Sequence, residues 1–178
     1  MRLEFLQHSE YKDYAKGLYE SAFPKNERRD FEINFELIET KNFDFFLIID
    51  SLDTPKPIGI ISIWYFEDYI YIEHFAIDEN ERFKGKGKEI IKTLIDSIKM
   101  PIIIEVEPPL DEMTKKRVRF YEGLDFELLD YFYLQPPYSK EKNPIELKLM
   151  IYEKKILETN PIEEIITELY EFVYGVGL

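Results

Sequence analysis

Cysteine is missing from this 178-residue chain, which excludes disulfides, thiolate metal sites and a cysteine nucleophile; no metal is expected. Also missing is any apolar run long enough for a membrane helix. The first residues, with Glu4, His8 and Glu10, lack the apolar core of a signal peptide. Positive charge is scarce: 23 Lys and Arg against 36 Asp and Glu leave a net charge of −13. That balance argues against nucleic acid as a partner, because phosphates need a basic face. It favours a neutral or cationic one. With 45% hydrophobic residues disorder is not in question, and the length suits one domain with a proper core. The expectation is a soluble cytoplasmic protein that touches no membrane.

The most informative stretch is Arg82-Phe83-Lys84-Gly85-Lys86-Gly87. Before it, residues 69–77 (Tyr-Ile-Tyr-Ile-Glu-His-Phe-Ala-Ile) read as one strand, rich in β-branched and aromatic side chains. After it, Ile90, Ile91, Leu94, Ile95 and Ile98 recur at helical spacing. A strand that turns through two glycines into a helix makes an anion cradle. Glycine admits close approach of a ligand, the first helical N–H groups lack internal partners, and the helix dipole adds positive potential. Lys84, Lys86, Lys88 and Lys92 add charge at the same place. The nucleotide-triphosphate loop is excluded, since Gly, four residues, then Gly-Lys-Ser/Thr is absent. The dinucleotide fingerprint is excluded too, because its third glycine would fall where Ile90 stands.

What the segment does match is Arg/Gln-x-x-Gly-x-Gly/Ala, and with the approach Ile77-Asp78-Glu79-Asn80-Glu81 it resembles the acyl-CoA pyrophosphate loop of the GNAT superfamily of N-acetyltransferases. The element order agrees with that resemblance. A strand at 3–6 and a helix capped by Ser9 come first, then a helix from about Arg28 and strands at 43–49, 58–66 and 69–77. The loop helix, a doubly buried strand at 101–106, a helix at 113–122 and strands at 126–133 and 145–152 follow. The fold class is therefore α/β, with a GNAT-type mixed central sheet flanked by helices. The resemblance covers residues 1–155. Residues 156–178 read as an added helix, capped by Asn160, with Pro161 first and an apolar seam of Ile162, Ile166, Leu169 and Val173. That seam fits either the chain's own sheet or a second copy in a homodimer.

The resemblance implies transfer of an acetyl group from acetyl-CoA to an amine by direct attack. A binding module on the same fold, holding acyl-CoA without turnover, is the alternative. The chemistry needs a neutral amine, a held carbonyl and a proton for the leaving thiolate. Arg119-Phe120-Tyr121-Glu122 resembles the family's helix-end signature, and Tyr121 is the matching acid; an ordinary phenol, with a pKa of about 10, keeps its proton at neutral pH. Strand alternation puts Tyr71, Glu73, Phe75 and Ile77 on one face and Ile72, His74 and Ala76 on the other. Glu73 is then either the general base or one half of a salt bridge, with Glu105 and Glu107 as further candidates for the base.

By resemblance the cofactor is held by Phe75, Ala76 and Ile77 on the strand and by Arg82, Phe83, Lys84, Gly85, Lys86, Gly87 and Lys88 in the loop. At the position of the family's cofactor-touching Asn stands Thr114, and Asp125 replaces its usual Gly. Lys115, Lys116, Arg117 and Arg119 read as a solvated helix surface. Residues 23–28 and 133–138 fall where the family builds its acceptor site, which would suit a cationic amine on a small molecule or peptide.

Overall fold

The structure, a computed structural model, describes residues 1–51, 54–82 and 84–176. The chain runs β1 (Arg2–Phe5), α1 (Lys12–Ala22), α2 (Ile33–Thr40), β2 (Phe43–Asp50), β3 (Lys56–Tyr65) and β4 (Ile70–Ile77). It continues through α3 (Lys86–Ile98), β5 (Ile102–Val106), α4 (Glu112–Glu122), β6 (Phe126–Leu128), β7 (Tyr133–Gln135), β8 (Ile145–Tyr152) and α5 (Ile162–Glu168), which ends in a π turn over Leu169–Val173. The eight strands form one mixed sheet ordered β1-β2-β3-β4-β5-β8-β6, with β7 also paired to β8. Among the described residues only β4 and β5 are parallel neighbours; the other pairings are antiparallel. Among the described residues no helix is long and apolar enough to cross a membrane.

Two apolar layers cover the sheet. Ile90, Ile91 and Leu94 of α3 and Val118 and Tyr121 of α4 bury one face, against Ile61, Ile63, Ile70 and Ile72. Ala15, Leu18 and Tyr19 of α1 bury the other, against Phe45, Leu47, Ile60 and Tyr71. Ile165, Ile166, Leu169, Val173 and Tyr174 of the C-terminal helix join that second layer. Full burial of such side chains contributes roughly 1.5–3 kcal/mol apiece.

Several sequence expectations move by a residue or an element. The strand expected over 126–133 is two short ones, β6 and β7. The second helix begins at Ile33 rather than near Arg28; Lys25–Glu27 is a short 3-10 turn and Arg28 is extended. Ser9 accepts the Tyr11 N–H (3.2 Å) just ahead of α1, whose N-cap is Tyr11. Pro161, not Asn160, caps α5, while Asn160 donates to Asp68.

The largest change concerns β4. Register with β3 shifts between Ser62, opposite His74, and Ile63, opposite Ile72, which leaves Glu73 as the extra residue of a bulge. A bulge resets the two-residue period. Tyr71 and Ala76 therefore join one core layer and Phe75 and Ile77 the other, against the simple alternation.

The apolar seam of the C-terminal helix faces this chain's own core: Leu169 is fully buried and Val173 nearly so. It is not free to make the dimer contact that the sequence left open. Leu169→Ala should cost roughly 2–5 kcal/mol by opening a cavity, read as a lower urea midpoint with the sedimentation coefficient unchanged.

Candidate functional site

The parting of β4 from β5 organises the site. The two strands pair only at Ile70–Ile102, Tyr71–Ile103 and Ile72–Ile104. Beyond that β5 stays bonded to β8 through Val106, while β4 runs on beside β3 to Ile77. The edge of β4 from Glu73 onward is thus unpaired on the β5 side, and the gap opens onto a cleft of about 500 Å³. Phe75, Ala76, Ile77, Arg82, Glu73, Glu105, Phe120, Tyr121 and Tyr138 are among its lining residues. The sequence alone did not display this splay. Gly59 fixes the outer side of the same strand: a Cβ there would lie 2.6 Å from the Ala76 carbonyl oxygen, so only glycine permits the approach.

At the end of β4 the chain turns into α3. Arg82 Nε donates to the Ile77 carbonyl (3.0 Å), which closes the turn. Gly85 caps the helix at φ +77°, in the left-handed region glycine enters without strain. The first intrahelical bond of α3 runs from the Glu89 N–H to the Gly85 carbonyl, so the N–H groups of Lys86, Gly87 and Lys88 face outward from the helix end. Gly87 packs beside Phe75, Ile77 and Phe120, all of which line the cleft. The loop and the cleft are therefore continuous. The lysines are partly committed: Lys84 pairs with Glu81 (3.0 Å) and Lys86 with Asp50 (2.9 Å). Phe83 lies outside the described residues. An acyl-CoA pyrophosphate fits this end by the chemistry of its donors, with backbone amides at a helix start and cationic side chains around them.

Tyr121 sits in the last turn of α4, with its ring against Phe120 and Phe126. Burial pushes its phenol up to about 12 against the opposing charge of Arg117, so the proton is retained at neutral pH. The turn that follows survives the loss of glycine, because Asp125 itself adopts φ +65°. Thr114 is differently employed. It forms a capping box with Asp111, whose carboxylate accepts the Met113 and Thr114 N–H groups at 2.8 Å while the Thr114 hydroxyl accepts the Asp111 N–H. Starting α4 is therefore its observed role. Lys116 and Arg117, read from sequence as a solvated surface, line the cleft.

Glu73 is the clearest departure. Its carboxylate is wholly buried and receives Arg29 at 2.6 and 2.7 Å, the Trp64 indole N–H at 2.9 Å and the Tyr138 hydroxyl at 2.8 Å. Burial alone would raise its pKa, but the Arg29 guanidinium outweighs it and holds the carboxyl well below the usual range. A carboxylate so saturated is a poor proton acceptor, and of the two roles open in the sequence the geometry gives it the salt bridge. His74, expected on the opposite face, lies 3.6 Å from Glu73 because the bulge turns both inward.

Glu105 lives in the opposite environment. It stands in β5 one residue past the last pair with β4 and lines the cleft. The Tyr174 hydroxyl donates to it at 2.9 and 3.0 Å, and the Tyr133 hydroxyl donates as well. Burial pushes its carboxyl up to about 7, against the lowering effect of those phenols. Glu27, from the turn after α1, also lines the cleft and is raised by burial. Phe23, Pro24, Gln135 and Tyr138 line it too, so both segments expected around the acceptor reach the site.

Sequence reasoning missed Arg29 and Tyr174, which no local pattern announces. Removing Arg29 would strand a buried charge. Arg29→Ala is expected to cost roughly 3–5 kcal/mol, measured by urea denaturation. A loss under 1 kcal/mol would show that Glu73 is held by its neutral donors instead.

Comparisons with known proteins agree with this architecture. The sequence model of the acetyltransferase (GNAT) family matches residues 8–126. A protein from Bacteroides thetaiotaomicron described as a GNAT-family acetyltransferase superposes with a TM-score of 0.89 at 32% identity, over 99% of each chain. More distant folds include a Vibrio cholerae spermidine N-acetyltransferase solved with CoA and spermine, at TM-score 0.60 and 15% identity over 84% of this chain and 93% of that one. An Escherichia coli ribosomal-protein-S18-alanine N-acetyltransferase gives 0.59 and 14% over 85% and 92%. No match was found among curated protein sequences. With the family's sequence model matching residues 8–126 and a full-length relative at that identity, the chain belongs to the GNAT acetyltransferase family.

Proposed function

We propose that the protein transfers the acetyl group of acetyl-CoA to the nitrogen of an amine by direct attack, with Tyr121 as the acid that protonates the leaving thiolate. The observation that carries this is the gap between β4 and β5: it opens on one cleft with the glycine turn at one end and Tyr121 in its wall. The unpaired edge of β4 at Phe75, Ala76 and Ile77 would hold the pantetheine arm and thioester by main-chain hydrogen bonds. The amides of Lys86, Gly87 and Lys88 would take the pyrophosphate, with Arg82, Lys116 and Arg117 supplying charge. Tyr121 has no protein hydrogen-bond partner among the described residues, which leaves its proton available. An acceptor wall of Phe23, Tyr138, Glu27 and Glu105 suits a cationic amine, by aromatic and carboxylate contact. The net charge of −13 would steer such an acceptor inward.

CoA should raise the melting temperature, since a ligand bound only to the native state stabilises by about 2.7 kcal/mol at a hundredfold excess over Kd. Gly87→Glu should abolish that shift. A Cβ at Gly87 makes only ordinary contacts, 3.5 Å at closest, so the backbone there accepts a side chain, and the glutamate would place a negative charge at the pyrophosphate site. Full CoA binding by folded Gly87→Glu would remove the loop from the cofactor site.

Tyr121→Phe keeps the ring and deletes the proton. Turnover of an acceptor found among polyamines, aminoglycosides, amino acids and peptides should fall by roughly 10²–10⁴ with CoA affinity unchanged. Thiol release at the parental rate would take Tyr121 out of the mechanism. A parent that binds CoA yet acetylates nothing would return the fold to a binding module.

A further inference from the structure

We propose that Glu105 is the general base of this acetyl transfer and that Tyr174, delivered by the C-terminal helix, is the residue that positions it. The inference rests on the acetyltransferase reading above. Glu105 follows the last residue of β5 that pairs with β4, so its carboxylate projects where the strands have parted, in the same cleft as Tyr121. Two phenols converge on it: Tyr133 from β7 and Tyr174 from the end of the π turn, which reaches both carboxylate oxygens. The Tyr174 oxygen also lies 3.2 Å from that of Tyr71 on β4. Among the described residues no lysine, arginine or histidine pairs with Glu105, in contrast to Glu73 and its Arg29. Neutral donors orient a carboxylate and lower its basicity less than a paired guanidinium does.

The groups facing Glu105 are Tyr71 and Glu73 from β4, Tyr133 from β7, Tyr138 from the following loop, and Tyr170 and Tyr174 from the C-terminal helix. The five phenols have their pKa values raised and stay protonated through neutrality, while the charge of Glu73 is met by Arg29. Glu105 is thus placed to change charge near its value of about 7 while its neighbours hold theirs. The reaction balances as follows. Glu105 accepts a proton from the incoming ammonium, directly or through water, and frees the lone pair. The nitrogen bonds the acetyl carbon as the carbon–sulfur bond breaks. Tyr121 gives its proton to sulfur and recovers one from the acylated nitrogen through water. Glu105 then returns its proton to solvent, so the products are one amide, one thiol and one proton.

Tyr174 comes from a helix beyond residues 8–126, the span that the family's sequence model matches. The same turn fixes Arg29, whose Nη2 donates to the Val173 carbonyl at 3.2 Å. One C-terminal turn therefore sets both buried carboxylates.

The test follows thiol release against pH with one acceptor, and the Glu105 carboxyl by isotope-edited infrared titration of the apo protein. Glu105→Gln should lower kcat by roughly 10²–10⁴-fold at neutral pH, keep CoA affinity and lose the acid limb of kcat/KM. Tyr174→Phe should move both the acid limb and the infrared titration upward by about one unit, the tenfold that goes with losing a hydrogen bond to the charged form. Tyr133→Phe should move them the same way, and it serves if Tyr174→Phe fails to fold. Using one acceptor cancels the amine's own titration between variants. Parental turnover by Glu105→Gln, or a limb unmoved in both folded phenylalanine variants, overturns the proposal while leaving the acetyltransferase reading intact. A parent that releases no thiol with any amine overturns both, even if the infrared titration moves as expected.

Discussion

The buried pair of Arg29 and Glu73 is the contact on which the rest of the site depends. Arg29 comes from the segment between the first two helices, Glu73 from the bulge of β4, and their further partners from β3, the loop after β7 and the C-terminal turn. Five parts of the chain thus meet at two side chains. Taking both charges out of water costs several kcal/mol each, and their attraction repays it only with good geometry and further hydrogen bonds. Here Trp64 and Tyr138 supply those bonds, and the Arg29 guanidinium also lies 4.8 Å from the centre of the Tyr138 ring. Such a pair is worth less as a source of stability than as a clamp on the position where β4 leaves β5.

That clamp separates two carboxylates by environment. Glu73 and Glu105 sit on neighbouring strands on either side of the gap, and the structure drives them in opposite directions. Arg29 holds one ionised at any working pH, while burial among phenols brings the other close to neutrality. Two acids with pKa values pushed apart by their surroundings are how a single site separates structural from proton-transfer duties. The cost falls on stability. With its folded-state pKa above the ordinary 4.5, Glu105 binds more protons folded than unfolded between about 4.5 and about 7, so stability falls as pH rises through that window. A core stretching from α1 to the C-terminal helix offsets it.

How much of this could be read from sequence follows from how local each cause is. The glycine loop, the Tyr121 helix end and the strand order rest on short-range patterns and were legible; so was the tolerance of Asp125 for a left-handed backbone. The faces of β4 were not, because one extra residue in a bulge inverts everything after it and leaves no mark in the composition. Arg29 gave no local signal, because its partner is 44 positions away. The part Thr114 plays in starting α4 was not legible either, because matching a position to a family's motif ignores what the local backbone asks of it, and the first turn of α4 needed a cap. Glu105 stood in view as a lone carboxylate in an apolar strand, the same signal as Glu73. The two could be told apart only by their partners, which come from the far end of the chain.

The charge of the molecule finds its sense in the same geometry. A strongly acidic chain is an unpromising host for a polyanionic cofactor unless its cations are gathered, and they are. Arg82, Lys116 and Arg117 line the cleft, where they meet the carboxylates of Glu27, Glu105 and Glu107, the last paired with Arg117. A cleft lined by charges of both signs and by aromatic rings suits the two partners proposed above, an anionic cofactor and a cationic amine, meeting where the strands part. Position supplies much of the rate in a transfer between two bound molecules, since effective concentrations far above any solution value come from orientation alone. Tyr121 and Glu105, both raised by burial, line that cleft. The helix that completes the set lies beyond residues 8–126, which the family's sequence model matches, and within the length that superposes on the Bacteroides relative. The parting of the strands thus supplies the gap, and the C-terminal turn, bonded to both Glu105 and Arg29, fixes what lies within it.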